Sequence, residues 1–237
     1  KFTIASLMVD PLRYTEQAQT VEYDFQSSGS LLVNNLTSKL AMALFPPGRP
    51  SFQIELEERI KQLAKAQGIS ESTILSSTAE LERQATKRLF LNASLAKLHR
   101  VIKLLLVTGI SLLYRDSARA KFLVWCIQSY VVRRNSNGDL YKVILKQQMP
   151  FNTLPAAIQN DAVAKRLRQA TDTSRCDLYT TIDYKDTTTG SRRAEIWHEL
   201  DGKRVGPVSS YPEHLCPYVV SAWNVPDGEH YGRGYVE

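Results

Sequence analysis

The chain has 237 residues, 43% of them hydrophobic and 23% charged, with a formal net charge of +6. That length and composition exclude a wholly disordered chain and leave room for one or two globular units with a sizeable core. The charge permits a polyanionic partner without requiring one, because Lys and Arg are spread along the chain and not massed in one run.

The first half reads as helical. Val21 to Phe45 is a run of helix-compatible residues, with Leu32, Leu36, Leu40 and Leu44 at steps of four on one face. Pro46-Pro47-Gly48 ends it, since proline lacks the backbone donor and clashes with the preceding turn. Ser51 to Leu56 alternates in polarity and is expected to begin extended. From Leu56 the period becomes helical: Leu56, Ile60 and Leu63 share a face, Glu55–Arg59 and Glu57–Lys61 are i,i+4 pairs on the other, and Gly68 is the stop. Ser70 is an N-cap for a helical region reaching about Val107, amphipathic through Leu91, Leu95, Leu98, Ile102 and Leu105, with a break at Asn92-Ala93-Ser94.

The second half changes character. Ile110–Tyr114, Lys121–Val132 and Leu140–Gln147 are β-branched, aromatic and alternating, and the last two flank the hairpin signal Asn135-Ser136-Asn137-Gly138. Pro155 to Ala170 predicts a short helix with Pro155 at a permitted first position. Leu178–Tyr184, Arg192–Leu200 and a short strand at Lys203–Val205 predict an antiparallel meander, turning at Asp186–Gly190 and Asp201-Gly202. From Tyr211 onward Pro, Gly and aromatic residues dominate, so order there depends on packing. The fold class is α+β.

Chemistry-bearing motifs are missing from this sequence. There is no phosphate-binding Gly-x-x-x-x-Gly-Lys, no Gly-x-Gly-x-x-Gly, no Gly-x-Ser-x-Gly, and His198-Glu199 lacks the second His of a zincin. No catalytic, cofactor or metal residue is assigned, and enzyme activity is not expected. Cys126, Cys176 and Cys216 are odd in number and widely spaced, so free thiols in a reducing compartment are expected. The longest apolar stretch, Val101 to Tyr114, is interrupted by Lys103, Thr108 and Gly109 and falls short of the about 20 residues that span a bilayer. Lys1 to Val9 lacks a signal-peptide cleavage site. The chain starts without Met and stops just past Gly232 and Gly234, so it reads as a piece of a longer protein. Arg83, Lys87, Arg88, Lys97, Arg100 and Lys103, with the pairs Arg133-Arg134, Arg192-Arg193 and Lys203-Arg204, are the only nucleic-acid candidates, and each reads more simply as a solvated or paired cation.

Three segments carry a resemblance. Gly29 to Phe52 holds Leu36, Ser38, Lys39, Leu40, Phe45, Pro46, Pro47 and Phe52; Leu104 to Tyr114 holds a helix-end glycine, Gly109, before a strand; Trp223 to Gly234 holds Trp223, Gly228, Glu229, Tyr231, Gly232, Arg233 and Gly234. In order and spacing they resemble the portal, or head-to-tail connector, proteins of short-tailed phages. Tyr235 stands where that family usually has Pro, and Ser221-Ala222 where a basic residue often precedes the Trp.

The resemblance implies a structural virion protein, a dodecameric ring at one capsid vertex through which double-stranded DNA is packaged and ejected. The implied partners are other copies of the chain, the major capsid protein, the terminase, the tail adaptor, and scaffold and internal core proteins; no membrane is implied. It places the protein in the virion after assembly in the host cytoplasm. It divides the chain into a mainly helical wing region (1–109), a β-rich wing region with one short helix (110–210) and a segment leading toward the stem (211–237), with stem, clip and crown beyond Glu237. Residues Phe45 to Pro47 would fix a bend, and Tyr231 to Gly234 would hold the entry to a stem-directed helix. Against it stands a different non-enzymatic adaptor or scaffold protein, which would share the composition but not the three segments in order. A DNA-binding regulator would show a helix-turn-helix or a clustered basic face.

Overall fold

In the computed structural model, residues 28–46, 49–91, 94–116, 121–186 and 191–236 are described. The expected helix start at residues 21–27, Pro47-Gly48, the break at 92–93 and the turn at 187–190 lie outside them. Helix α1 (Ser28–Leu44) stops two residues before Pro46, and Phe45 N donates to Ala41 O at 2.8 Å. Its buried stripe is not the leucine face. Val33, Thr37 and Ala41 are buried, Leu36 and Leu40 flank them, and Leu32 and Leu44 are 68% and 56% exposed. The small residues win the contact line because they let a neighbouring helix approach closely, and the Thr37 hydroxyl is satisfied by Val33 O at 2.6 Å.

Residues 53–57 take no regular structure, so the expected extended start is a loop, tied down where Glu82 Oε1 accepts from Ile54 N at 2.6 Å. Helix α2 (Glu58–Ala66) follows, closed at Gly68, and Lys61 pairs with Glu58 instead of Glu57. Ile60 and Leu63 are 48% and 58% exposed, so the amphipathic face of α2 finds no cover among the described residues. Helix α3 (Glu71–Leu91) begins where Ser70 Oγ accepts from Thr73 N, as an N-cap should, and α4 (Ser94–Thr108) follows it. In α4, Val101, Ile102, Leu104, Leu106 and Val107 are buried, a wider belt than the sequence stripe, while Leu95 at its head is 43% exposed. The belt is wide because α1 packs on one side through Ala41 and the sheet packs on another through Val124.

Eight strands follow: β1 (Ile110–Asp116), β2 (Lys121–Trp125), β3 (Tyr130–Arg134), β4 (Leu140–Pro150), β5 (Arg175–Asp186), β6 (Arg192–Leu200), β7 (Lys203–Pro212) and β8 (Tyr218–Ala222). They form antiparallel sheets ordered β2-β1-β8 and β3-β4-β5-β6-β7, which with the helices is an α+β fold. The single strand expected over Lys121–Val132 is two strands in different sheets, separated by Cys126 and a 3-10 turn at Ile127–Ser129. The two-residue side-chain period continues across that turn, so only the turn reveals the change of sheet.

Strand β7 runs longer than expected, and β8 was not expected at all. The helix α5 (Ala156–Ala164) is shorter than the predicted 155–170, ending where Arg166 turns to φ 55°. The two hairpin turns stand as expected: Asn135 Oδ1 accepts from Asn137 N and Asp139 N, and Asp201 and Gly202 both adopt positive φ, the twist a two-residue hairpin needs.

Both sheets face one core. Ile110 and Leu112 of the small sheet meet Tyr130, Val132, Val143, Leu145, Ile182 and Ile196 of the large one. A second core lies at the far end, where α5 and Phe151 cover Leu178, Leu200 and Val205. His198 points between these cores with its Nδ1 3.0 Å from Thr180 Oγ1, and burial holds its pKa below the usual histidine value. None of the described helices is long and apolar enough to cross a membrane.

Two outcomes follow from this packing. Leu106→Ala, which empties a site 1% exposed between α1 and α4, is expected to destabilise the fold by about 2–5 kcal/mol in denaturant titration. The unfolded chain binds a proton on His198 more readily than the native one, so this residue's contribution is intact above about pH 6.5 and is lost as pH falls below it. A melting temperature that drops between pH 7.5 and 5.5, with a smaller drop in His198→Gln, is the expected measurement.

Candidate functional site

The segments singled out by the sequence converge on α4 at two places. On its side, Leu36, Leu40 and Phe45 pack against Ile102 and Leu106. Ser38 Oγ donates to Asn34 O at 2.9 Å and sits 3.3 Å from His99 Nε2. Lys39 is exposed, Pro46 is half-buried, Phe52 is 45% exposed, and Pro47 lies outside the described residues. Of these, Leu36, Leu40 and Phe45 fix α1 on α4.

At the C-terminal end of α4 the tail crosses the helix-to-strand junction. Gly109 ends α4 with φ +72°, its N–H donating to Leu105 O at 3.1 Å, and the strand β1 begins at the next residue. A side chain at Gly109 would lie 2.5 Å from the Gly232 carbonyl carbon, and one at Gly234 would lie 2.5 Å from Val107 O. A Cβ on Gly232 would collide in turn with Gly109 O. Three glycines from two distant motifs therefore let two backbones touch where any side chain would hold them apart.

Hydrogen bonds lock the crossing from both sides. Gly109 O accepts from Trp223 N at 2.8 Å, Asn224 O accepts from Arg233 N at 2.7 Å, and Leu106 O accepts from Val236 N at 3.2 Å. Leu106 thus joins both places, its side chain under α1 and its carbonyl under the tail. The Trp223 ring meets the edge of Tyr235 with centroids 6.4 Å apart. Arg233 pairs with Glu229, which holds the Glu229 carboxyl below the usual range. Gly228, at φ +80°, turns the loop in open space.

The tail also closes an edge of the large sheet. Among the described residues strand β3 pairs only with β4, and on its other side Tyr231 Oη accepts from Val132 N at 3.2 Å while His230 Nδ1 accepts from Arg134 N at 3.1 Å. The Arg134 guanidinium donates to His230 O at 3.2 Å and Gly138 O at 2.9 Å, so one member of the Arg133-Arg134 pair is spent on structure. Others are spent likewise: Arg192 pairs with Glu213 at 3.2 Å, and Arg204 stacks 4.3 Å above Trp197. Sequence reasoning missed the acceptors of this site because Gly109 O, Asn224 O and Leu106 O are backbone atoms with no residue-type signature. It read Arg134 as a solvated or paired cation and missed its contact with His230, because the two meet only through the tail. Among the described residues no three His, Cys, Asp or Glu side chains converge to hold a metal ion. What the arrangement does is mechanical: it fixes the direction in which the chain leaves α4 and β1.

A family model described as bacteriophage head to tail connecting protein matches residues 9–237. The chain is similar to the portal protein of Pseudomonas phage phiKMV, 45% identical over 100% of this chain and 46% of that protein. It is 29% identical to the portal protein of Enterobacteria phage SP6 over 92% of this chain and 42% of that one. It is 28% identical to the portal protein of Escherichia phage T7 over 100% of this chain and 44% of that one. The chain spans less than half the length of these curated relatives.

Gly232→Ala is expected to force the crossing open and cost about 3 kcal/mol, within the usual range for overpacking. In a domain of this size that reads as a melting point lower by roughly 6–12 °C. Gly138→Ala, whose added Cβ meets nothing within 4 Å, carries only the penalty of its positive φ and serves as the comparison.

Proposed function

This chain belongs to the bacteriophage head to tail connecting protein family, and on that premise we propose that it is the wing part of a structural portal subunit, working in a dodecameric ring at one capsid vertex. The ring is the channel for DNA entering during packaging and leaving at ejection. It docks the terminase while the head fills and the tail adaptor afterwards, and it is seated against the major capsid protein with scaffold and core proteins around it. The protein acts in the virion, after assembly in the host cytoplasm, without catalysing a reaction.

The observation that carries this reading is the crossing at Gly109. Two of the three connector-like segments, separate in sequence, meet there backbone to backbone, and the third packs on the same helix. In this reading residues 28–109 form a helical arm and residues 110–210 a β body. Residues 211–237 then carry the chain toward the stem, with Trp223 and Tyr231 to Gly234 setting that direction. Leu36, Leu40 and Phe45 hold the arm to α4.

Negative-stain electron microscopy of the complete gene product tests it. Top views of rings with a central hole and about twelve subunits are expected. Small particles without rotational symmetry would favour a non-enzymatic adaptor or scaffold instead.

A further inference from the structure

The core between the two sheets is crossed by one polar line. Thr180 of β5 is fully buried, paired across the strands with Leu145 of β4 on one side and His198 of β6 on the other. Its Oγ1 lies 3.0 Å from His198 Nδ1, and the Tyr218 hydroxyl of β8 is hydrogen-bonded to the same Thr180 side chain. A chain of three polar groups therefore runs from the large sheet into the small one, with Thr180 in the middle.

The direction of this chain follows from how many hydrogens it holds. Thr180 has a single hydroxyl hydrogen to give. With Nδ1 bare, Thr180 donates to His198 and Tyr218 donates to Thr180, so both hydroxyl hydrogens are used. With a proton on Nδ1 the ring becomes the donor. Thr180 must then accept from it and turn its own hydrogen toward Tyr218, whose hydrogen loses its acceptor. A buried donor left without an acceptor is costly, so the neutral ring favours the first arrangement and the charged ring forbids it.

The surroundings give an imidazolium no help. The His198 pKa is depressed by burial alone, with no carboxylate contributing. The titratable groups that face the chain at Tyr218 are Tyr114 of β1, with ring centroids 4.6 Å apart, Tyr211 of β7 and the Cys216 thiol. Asp116 acts on Tyr114, and Glu199 lies on the other face of β6, where it accepts from Trp197 Nε1 at 2.6 Å. Strand β8 in turn leads directly into Trp223, whose N–H donates to Gly109 O at 2.8 Å at the tail crossing.

We propose that His198, Thr180 and Tyr218 form a proton-sensitive latch, in which a proton taken up by His198 reverses the chain and frees β8, and with it the entry to the tail crossing, from the large sheet. The latch is independent of the ring, since all three groups lie in one chain. It is closed above about pH 6.5 and opens as pH falls below that value, because the neutral ring is the form that holds Tyr218. The coupling is reciprocal: if protonation loosens Tyr218, removing the Tyr218 hydroxyl must make His198 easier to protonate.

Hydrogen-exchange mass spectrometry on the complete gene product tests both halves, in the parent, Tyr218→Phe and His198→Gln. Corrected for intrinsic rates, backbone exchange across residues 218–222 of the parent is expected to rise by about fivefold or more between pH 7.5 and 5.5. The rise across Val143 to Leu145 of β4 is expected to be smaller, and His198→Gln is expected to abolish the excess at β8. Exchange at the His198 ring carbon, which reports its titration, is expected to move to higher pH in Tyr218→Phe. An equal rise throughout both sheets overturns the latch, since His198 then acts on the fold as a whole. So does a His198 titration that stays in place or moves down in Tyr218→Phe.

Discussion

The fold depends on two backbones being allowed to touch. At the end of α4 the chain passes into β1 through Gly109, and the tail lies directly on that junction through Gly232 and Gly234. Backbone groups brought this close can exchange hydrogen bonds that a side chain would prevent, and Trp223, Arg233 and Val236 all donate within this short stretch. The constraint is steric before it is energetic. It requires the absence of atoms, and no favourable interaction elsewhere substitutes for that absence.

Around this point α4 serves as the common wall. Its side receives α1 through the small residues Thr37 and Ala41, its opposite side receives β2 through Val124, and its end receives the tail. A helix used on so many sides is buried over most of its second half, where only Lys103 and Leu105 between Val101 and Thr108 are half-buried, while Leu95, Ala96 and Arg100 before it are exposed. The β part is self-sufficient by comparison. Its ion pairs, such as Lys142–Asp183 and Lys146–Asp177, run across the outer face of the large sheet, leaving the inner face to the shared core. Among the described residues of α2 and α3 the ion pairs run only within one helix, Lys61–Glu58 and Arg83–Glu80.

What the residues reveal on their own follows the range of the interactions. Asn135 to Gly138 and Asp201-Gly202 were readable because turn chemistry is local and needs no partner. The buried face of α1 was misread because leucines dominate a periodicity count, while close helix contact selects for small side chains such as Ala41. The change of sheet at Cys126 and the strand at Tyr218–Ala222 were missed for another reason. Both are decided by distant pairing, and Pro212 and Pro217 hide the second among residues that otherwise read as loop. Of the site, the glycines were legible only as part of a family pattern. That Gly109 and Gly232 touch is a fact of three dimensions that no spacing along the chain encodes.

The middle position of β1 has a consequence for the order of events during synthesis. Its partner β2 follows it almost at once, but its partner β8 is made only after the whole five-stranded sheet, with Ile110 waiting for Ala222. At ordinary translation speeds that interval is on the order of ten seconds. During it, one edge of β1 is unpaired and the end of α4 is uncapped, while the local hairpins of β3 to β7 already have everything they need to close. The α4–β1 junction is finished only once residues up to Val236 have been made, so a chain broken off between β2 and β8 leaves it open.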